Sequence, residues 1–254
     1  VKVPGGTMPN YSGITLLSGN RVLLADYNNS KCILLSSSYK PISNFTLSQK
    51  PWDITLVDNE EVAVSLLNEK KIQILSIRND GISPVRTITT KHTCYGIANA
   101  GNNNIVVTGL YDTNMYYWSL INMDGDMKYL HKFDFSGHYF NHVALDKDKT
   151  QVYVTLPENN SLLCFDMDGN RQFTYSPDNL RFPAGVSVDR DDNIYVLGFH
   201  SHNIHQLSPG GSVLQVITAG VPQYPRGIYF DKINNLFFLT NLSDGNNLYV
   251  YQLR

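Results

Sequence analysis

The stretch Lys50–Leu75, "KPWDITLVDNEEVAVSLLNEKKIQIL", holds two short apolar strand-like runs and the start of a third piece, each broken by polar turn residues. Its cadence recurs. A small or polar residue opens a short strand, and nine or ten residues later comes a nearly continuous apolar run. "GITL" at Gly13 pairs with "RVLLAD", "DITL" at Asp53 with "EVAVSLL", and "GIAN" at Gly96 with "NIVVTG". "HVAL" at His142 pairs with "QVYVTL", "GVSV" at Gly185 with "NIYVLG", and "GIYF" at Gly227 with "NLFFLT". The six starts are 40, 43, 46, 43 and 42 residues apart, a period that marks a repeat architecture. A third strand-like piece follows each apolar run, and five copies add a fourth. Four short antiparallel strands in roughly 40–45 residues make one propeller blade. The expected fold is therefore all-β: one domain, residues 1–254, a six-bladed β-propeller of four-stranded antiparallel blades starting near 11, 50, 92, 138, 181 and 223.

The sixth copy reaches Arg254 directly after its third strand, which leaves an open edge. An unpaired edge invites association, so the leading "VKV" is expected to close the ring as the fourth strand of blade six, with residues 1–4 in that role. The second strand of every blade reads apolar on both faces, as suits a strand sandwiched between neighbouring blades. Hydrophobic residues make up 42% of the chain and aromatics 11%, enough for a large core. No apolar run approaches the roughly 18 residues of a membrane span, and nothing at the start resembles a signal peptide. A net charge of −2 argues by composition against a strongly basic nucleic-acid binder. Cys32, Cys94 and Cys164 are odd in number and far apart, which reads as reduced thiols in a cytoplasmic protein. Asn28, Asn44, Asn159 and Asn241 begin sequons that would matter only in a secreted chain.

Few segments suggest chemistry. "MDGD" at 123–126 and "DMDGN" at 166–170 evoke calcium loops but lack the glycine at position six and the distant bidentate Glu, so they read as hairpin turns. "HYFNH" at 138–142 and "HSHNIH" at 200–205 have no completing Cys or carboxylate, and neither a metal nor a cofactor is expected. No nucleophile elbow, P-loop or Rossmann glycine pattern is present. Four of the six inner-strand starts, which would line the central channel, are glycines. Asp53 and His142 are the exceptions, and a structural hydrogen-bonding role is expected of them.

Propeller topology gathers on one face the loops entering each inner strand and those joining second to third strands. That face collects Trp52, Tyr95, Arg226, Asn141, Lys50, Lys91, His92, Tyr139, Phe140, Arg181, Phe182, His200 and Tyr224 as candidate partner-binding residues. Aromatics and Arg dominate binding hot spots, and loops on rigid blades are where function concentrates. Ser12, Trp52, Tyr95, Asn141, Ala184 and Arg226 each sit one residue before an inner-strand start and should ring the channel mouth, with the charged end of Arg226 in water. Trp52 and Tyr95 packed together as a plug is the competing structural reading.

Blade five, "PAGVSVDRDDNIYVLGFHSHNIHQL", resembles the NHL repeat. With "PWDI" in blade two and "HTCYGIA" in blade three, the whole chain resembles the C-terminal propeller of tripartite-motif (TRIM-NHL) proteins. The resemblance implies the partner-recognition module of a RING-type E3 ubiquitin ligase that is oligomeric through its coiled coil. The propeller itself would be monomeric and without enzymatic activity. The implied partner is a protein substrate or adaptor, or alternatively an RNA hairpin on the same face. A propeller hydrolase or lyase is the third class.

Overall fold

The computed structural model describes residues 2–3, 8–67, 69–111, 115–133, 141–243 and 247–252. Strands form where the apolar and alternating runs lie, and turns form where Asp, Asn and Gly interrupt them. Blade one comprises β1 (Tyr11–Leu17), β2 (Arg21–Asp26), β3 (Lys31–Leu35) and β4 (Pro41–Thr46); blade two, β5 (Pro51–Leu56), β6 (Glu61–Leu66), β7 (Lys71–Arg78) and β8 (Gly81–Thr89). Blade three comprises β9 (Ile97–Gly101), β10 (Asn104–Leu110), β11 (Tyr116–Asn122) and β12 (Met127–Phe133); blade four, β13 (Val143–Leu145), β14 (Gln151–Leu156), β15 (Ser161–Asp166) and β16 (Arg171–Tyr175). Blade five comprises β17 (Pro183–Val188), β18 (Ile194–Gly198), β19 (Asn203–Leu207) and β20 (Val213–Ile217); blade six, β21 (Pro225–Asp231), β22 (Leu236–Asn241) and β23 (Leu248–Gln252). Each sheet is a sequential antiparallel meander, and β21 returns to pack beside β1, so the protein is an all-β, six-bladed propeller. No helix among the described residues is long and apolar enough to cross a membrane.

The core is distributed. One apolar cluster fills each interface between neighbouring blades, as where Trp118 and Val106 of blade three meet Val152 and Phe165 of blade four. The second strands are buried on both faces, whereas the outer β4 alternates exposed with half-buried residues. At ring closure, Lys2 bridges Asn247 antiparallel, and Val3 is fully buried among Tyr11, Ile14, Phe238 and Leu248. Blade six has three strands among the described residues, and Val1 and Pro4 lie outside them.

Two local devices set the channel. The inner strands crowd so closely that a Cβ on Gly13 would stand 2.8 Å from the Asp53 Cα, and one on Gly96 would stand 2.8 Å from the Val143 nitrogen. Glycine permits that approach. Hydroxyls on the second strands then tie the blades together: Ser65 Oγ accepts from the Asp53 amide (3.0 Å) and donates to the Tyr95 carbonyl (2.6 Å), and Thr240 Oγ1 donates to the Tyr11 carbonyl (2.8 Å). At the opposite end, Asp58, Asp146, Asp189 and Asp231 each accept two turn amides through Oδ1. These four carboxylates are thus committed to building turns.

Candidate functional site

Ring closure brings residues from blades one, two, four, five and six to the channel mouth. A cavity of about 360 Å³ is lined there by Asn10, Tyr27, Trp52, His142, Pro157, Phe182, Pro183, Ala184, Phe199, His200 and Arg226. Below it the channel holds a second cavity of about 260 Å³, between the inner strands, which His142 also lines together with Asp53.

Trp52 is the centre of the mouth. It is nearly buried, packs with Leu67 and Tyr95, stands edge-on to Tyr27 (6.0 Å) and donates Nε1–H to the Asn141 carbonyl (3.2 Å). The Arg226 guanidinium lies 4.6 Å over its ring and 5.8 Å from that of Tyr27. His142 packs against Trp52 with ring centroids 5.2 Å apart, and its Nδ1 stands 3.6 Å from Asp53 Oδ2. Asp53 is structural as well: Oδ1 accepts from the Ile54 amide (2.9 Å) and Oδ2 from the Ile97 amide (3.1 Å). Cation, indole, imidazole and carboxylate thus follow one another by successive contacts. Asp53 thus has the structural hydrogen-bonding role expected of it, and closure of the ring also sets it beside His142.

Around this mouth the described residues leave five buried polar atoms without a hydrogen-bond partner: Asn10 Oδ1, both Asn141 amide atoms, His142 Nε2 and Arg226 Nε. Each such atom costs on the order of 1–3 kcal/mol, so a cluster of them calls for explanation by function. Arg226 is half-buried rather than extended into water, and burial pulls its guanidinium down to about 10, which leaves it cationic at neutral pH. The expected solvated charge is corrected accordingly: Tyr27 and Trp52, from blades one and two, cover it from the far side of the closure.

The remaining candidates divide. Phe182, His200 and Tyr224 form an aromatic group with Phe199, in which Phe182 and His200 ring centroids are 4.7 Å apart and Phe199 and Tyr224 5.3 Å apart. Phe182 and Tyr224 both take left-handed φ values (51° and 52°), unusual for bulky residues. Their amides are held by the preceding blade: Phe182 N–H donates to Asn160 Oδ1 (2.7 Å), and Tyr224 N–H to His202 Nδ1 (3.0 Å). Lys50 rests over Tyr27 at 4.8 Å. Tyr95 packs with Trp52, as the competing structural reading had it, and is outside the cavity lining. Lys91 and Arg181 are exposed and outside the cavity lining, while His92 belongs to a separate cluster, 4.3 Å from Tyr111, where burial lowers its imidazole. Tyr139 and Phe140 lie outside the described residues. Sequence reasoning passed over Asn10 and Phe199, which carry no motif. Among the described residues no group of three His, Cys, Asp or Glu is placed to hold a metal ion.

Residues 87–241, more than half of the chain, match the family described as SMP-30/Gluconolactonase/LRE-like region. No curated protein matches the chain. Among solved structures, virginiamycin B lyase from Staphylococcus aureus superposes with TM-score 0.71 at 17% identity over 100% of this chain and 87% of that one. A luciferin-regenerating enzyme gives 0.73 at 15% identity over 96% and 91%. The Cps50 (Swd1) propeller domain of Myceliophteria thermophila gives 0.71 at 11% identity over 96% and 84%. At these identities the structural likenesses establish the propeller fold. The expectation of a propeller without enzymatic activity is overturned by the family match, since that family is named in part for a lactonase. The match carries no sign of a TRIM context.

Proposed function

This chain belongs to the SMP-30/Gluconolactonase/LRE-like family, and from that premise we propose that it is a propeller enzyme opening a lactone or related ester by hydrolysis at the channel mouth. The carrying observation is the Asp53–His142 pair beneath a cavity edged by unpartnered buried polar atoms. Asp53 beside Nδ1 favours the tautomer with its proton on Nδ1, which leaves the lone pair on Nε2 as a general base. Nε2 takes a proton from a water molecule as the water oxygen bonds to the substrate carbonyl carbon. The carbonyl π electrons move onto oxygen, and Arg226 faces the developing charge. When the carbonyl re-forms, the ring C–O bond breaks and the leaving oxygen recovers the proton from Nε2, so water is consumed and a hydroxy acid results. Trp52 over His142 keeps bulk water from the base. The staphylococcal lyase offers support of a general kind, being catalytically inactive when one histidine is replaced by alanine. The TRIM-NHL reading, with a protein or RNA hairpin on this face, has behind it only a blade cadence that any propeller of this kind would share.

The test is titration of acid release from a panel of γ- and δ-lactones. His142→Ala should lower kcat/KM by roughly 10²–10⁴-fold, as for loss of a general base. Asp53→Asn should lower kcat more than it raises KM. Wild-type turnover by folded His142→Ala would dispose of the proposal.

A further inference from the structure

We infer that the mouth cavity is built to hold a flat aromatic carboxylate, with the ring between the aromatic walls and the carboxylate on Arg226. This names a ligand class for the site just described and rests on the reading of the mouth as the place where substrate binds.

The walls supply the first half. Tyr27, Trp52, Phe182, Phe199 and His200 present rings from blades one, two and five to one cavity. Among the remaining described lining residues only Asn10, His142 and Arg226 bring polar side chains. A polyol needs a hydrogen-bond partner for each hydroxyl it loses to water, and the described lining offers polar side chains at three positions against five aromatic rings. An aromatic face needs only stacking surfaces, which aromatic side chains offer in offset or edge-on geometry. The volume, about 360 Å³, lies toward the lower end of small-molecule sites and suits one or two fused rings.

The charge supplies the second half. Among the described lining residues Arg226 is the one Lys or Arg, and no Asp or Glu is among them. Among the described residues its guanidinium forms no ion pair, and its buried Nε has no hydrogen-bond partner. Contacts with Trp52 and Tyr27 hold the guanidinium in place but leave donors over. A planar fork of donors fixed by aromatic faces matches the two oxygens of a carboxylate. The nearby Lys50, over Tyr27, adds to the positive field at the mouth.

The experiment is equilibrium binding to the unaltered chain, by calorimetry and by quenching of tryptophan fluorescence, with probes that the enzyme cannot hydrolyse. Trp52 lines the cavity whereas Trp118 is buried between blades three and four, so quenching on binding reports on Trp52. The probes are 1-naphthoate, neutral 1-naphthamide, cyclohexanecarboxylate and gluconate. The expected result is saturable naphthoate binding at least about tenfold tighter than naphthamide, with the two aliphatic acids weaker still. Arg226→Gln, checked for an unchanged melting curve, should erase the naphthoate–naphthamide difference; Arg226→Lys should keep part of it. Equal binding of naphthoate and naphthamide by the unaltered chain would overturn the anion half. Gluconate or cyclohexanecarboxylate binding as tightly as naphthoate would overturn the aromatic half, and no binding at all would overturn both. Because no turnover is measured, naphthoate binding by a chain that opens no lactone would refute the proposed chemistry and leave the ligand class standing.

Discussion

Gly96→Ala tests whether the close approach of inner strands is what places His142 beside Asp53. A Cβ at position 96 would lie 2.8 Å from Thr108 Oγ1, 2.8 Å from the Val143 nitrogen and 2.9 Å from the His142 carbonyl carbon. Two of those atoms are backbone of blade four, and Thr108 Oγ1 is itself bonded to the Gly96 carbonyl (3.4 Å), so none can rotate away cheaply. The blades must part by several tenths of an ångström. Overpacking of this kind costs about 1–3 kcal/mol, and for a domain of this size each kcal/mol lowers Tm by about 2–4 °C, so the drop should fall between about 2 and 12 °C. Gly81→Ala is the control, because its nearest neighbour would be 3.4 Å away and its backbone is not left-handed. Gly101→Ala separates the causes: nothing lies within 4 Å, but φ is +73°, so only the conformational cost of about 1–2 kcal/mol applies. Scanning calorimetry gives the three values. If Gly96→Ala melted with the parent while Gly101→Ala did not, the steric account of the channel would be wrong. The same variant should reduce lactone turnover beyond its effect on folding, since a displacement near 1 Å can cost about 10² in rate.

Burial lowers the imidazoles of His92, His131 and His205, so the fold favours their neutral forms, and on acidification the unfolded chain takes up protons first. Stability should be full above about pH 6.5 and decline as pH falls through that value toward the lower folded values; a Tm that is flat from pH 7.5 to 5 would contradict this, and His205→Gln should lessen the decline. Burial pushes the thiols of Cys32, Cys94 and Cys164 upward, that of Cys164 to about 12, so an exposed-thiol reagent should label none in the native state and all three in denaturant. Val3→Ala should cost about 1–2 kcal/mol by removing buried methyl groups at the ring closure, read as a fall in urea midpoint without change in slope. Asp53→Ala should destabilise more than Asp53→Asn, because it strands the buried amides of both Ile54 and Ile97, whereas the single amide oxygen of Asn can still accept from one of them.

The fold was legible because each blade repeats a local rule. "EVAVSLL", "QVYVTL" and "NLFFLT" hold three or four consecutive apolar residues (62–64, 152–154 and 236–239) where a half-exposed strand would alternate, which fits a strand covered on both faces. The Asp that follows an inner strand, as at Asp189 and Asp231, announces a turn whose amides it then accepts. These signals report blade architecture, and propellers of different families need the same architecture. That is why the cadence suggested NHL repeats while the family match points elsewhere.

The site was less legible because none of its contacts is local. Asp53 and His142 are 89 residues apart, in blades that are not neighbours in the ring; Gly96 lets the intervening strand pass against the His142 backbone, and the next residue on that strand, Ile97, donates its amide to Asp53. Arg226 receives its aromatic cover from residues at the other end of the chain, after closure sets β21 beside β1. One trace of the pair was present in the sequence: two side chains stand at a register position where the other four copies have glycine. Where four copies use glycine for close packing, the two that carry a carboxylate and an imidazole stand out. Asp53 shows why structure and chemistry are not alternatives there. Its two oxygens secure the amides of Ile54 and Ile97, and the hydrogen bonds that fix the carboxylate also fix the distance at which it holds His142.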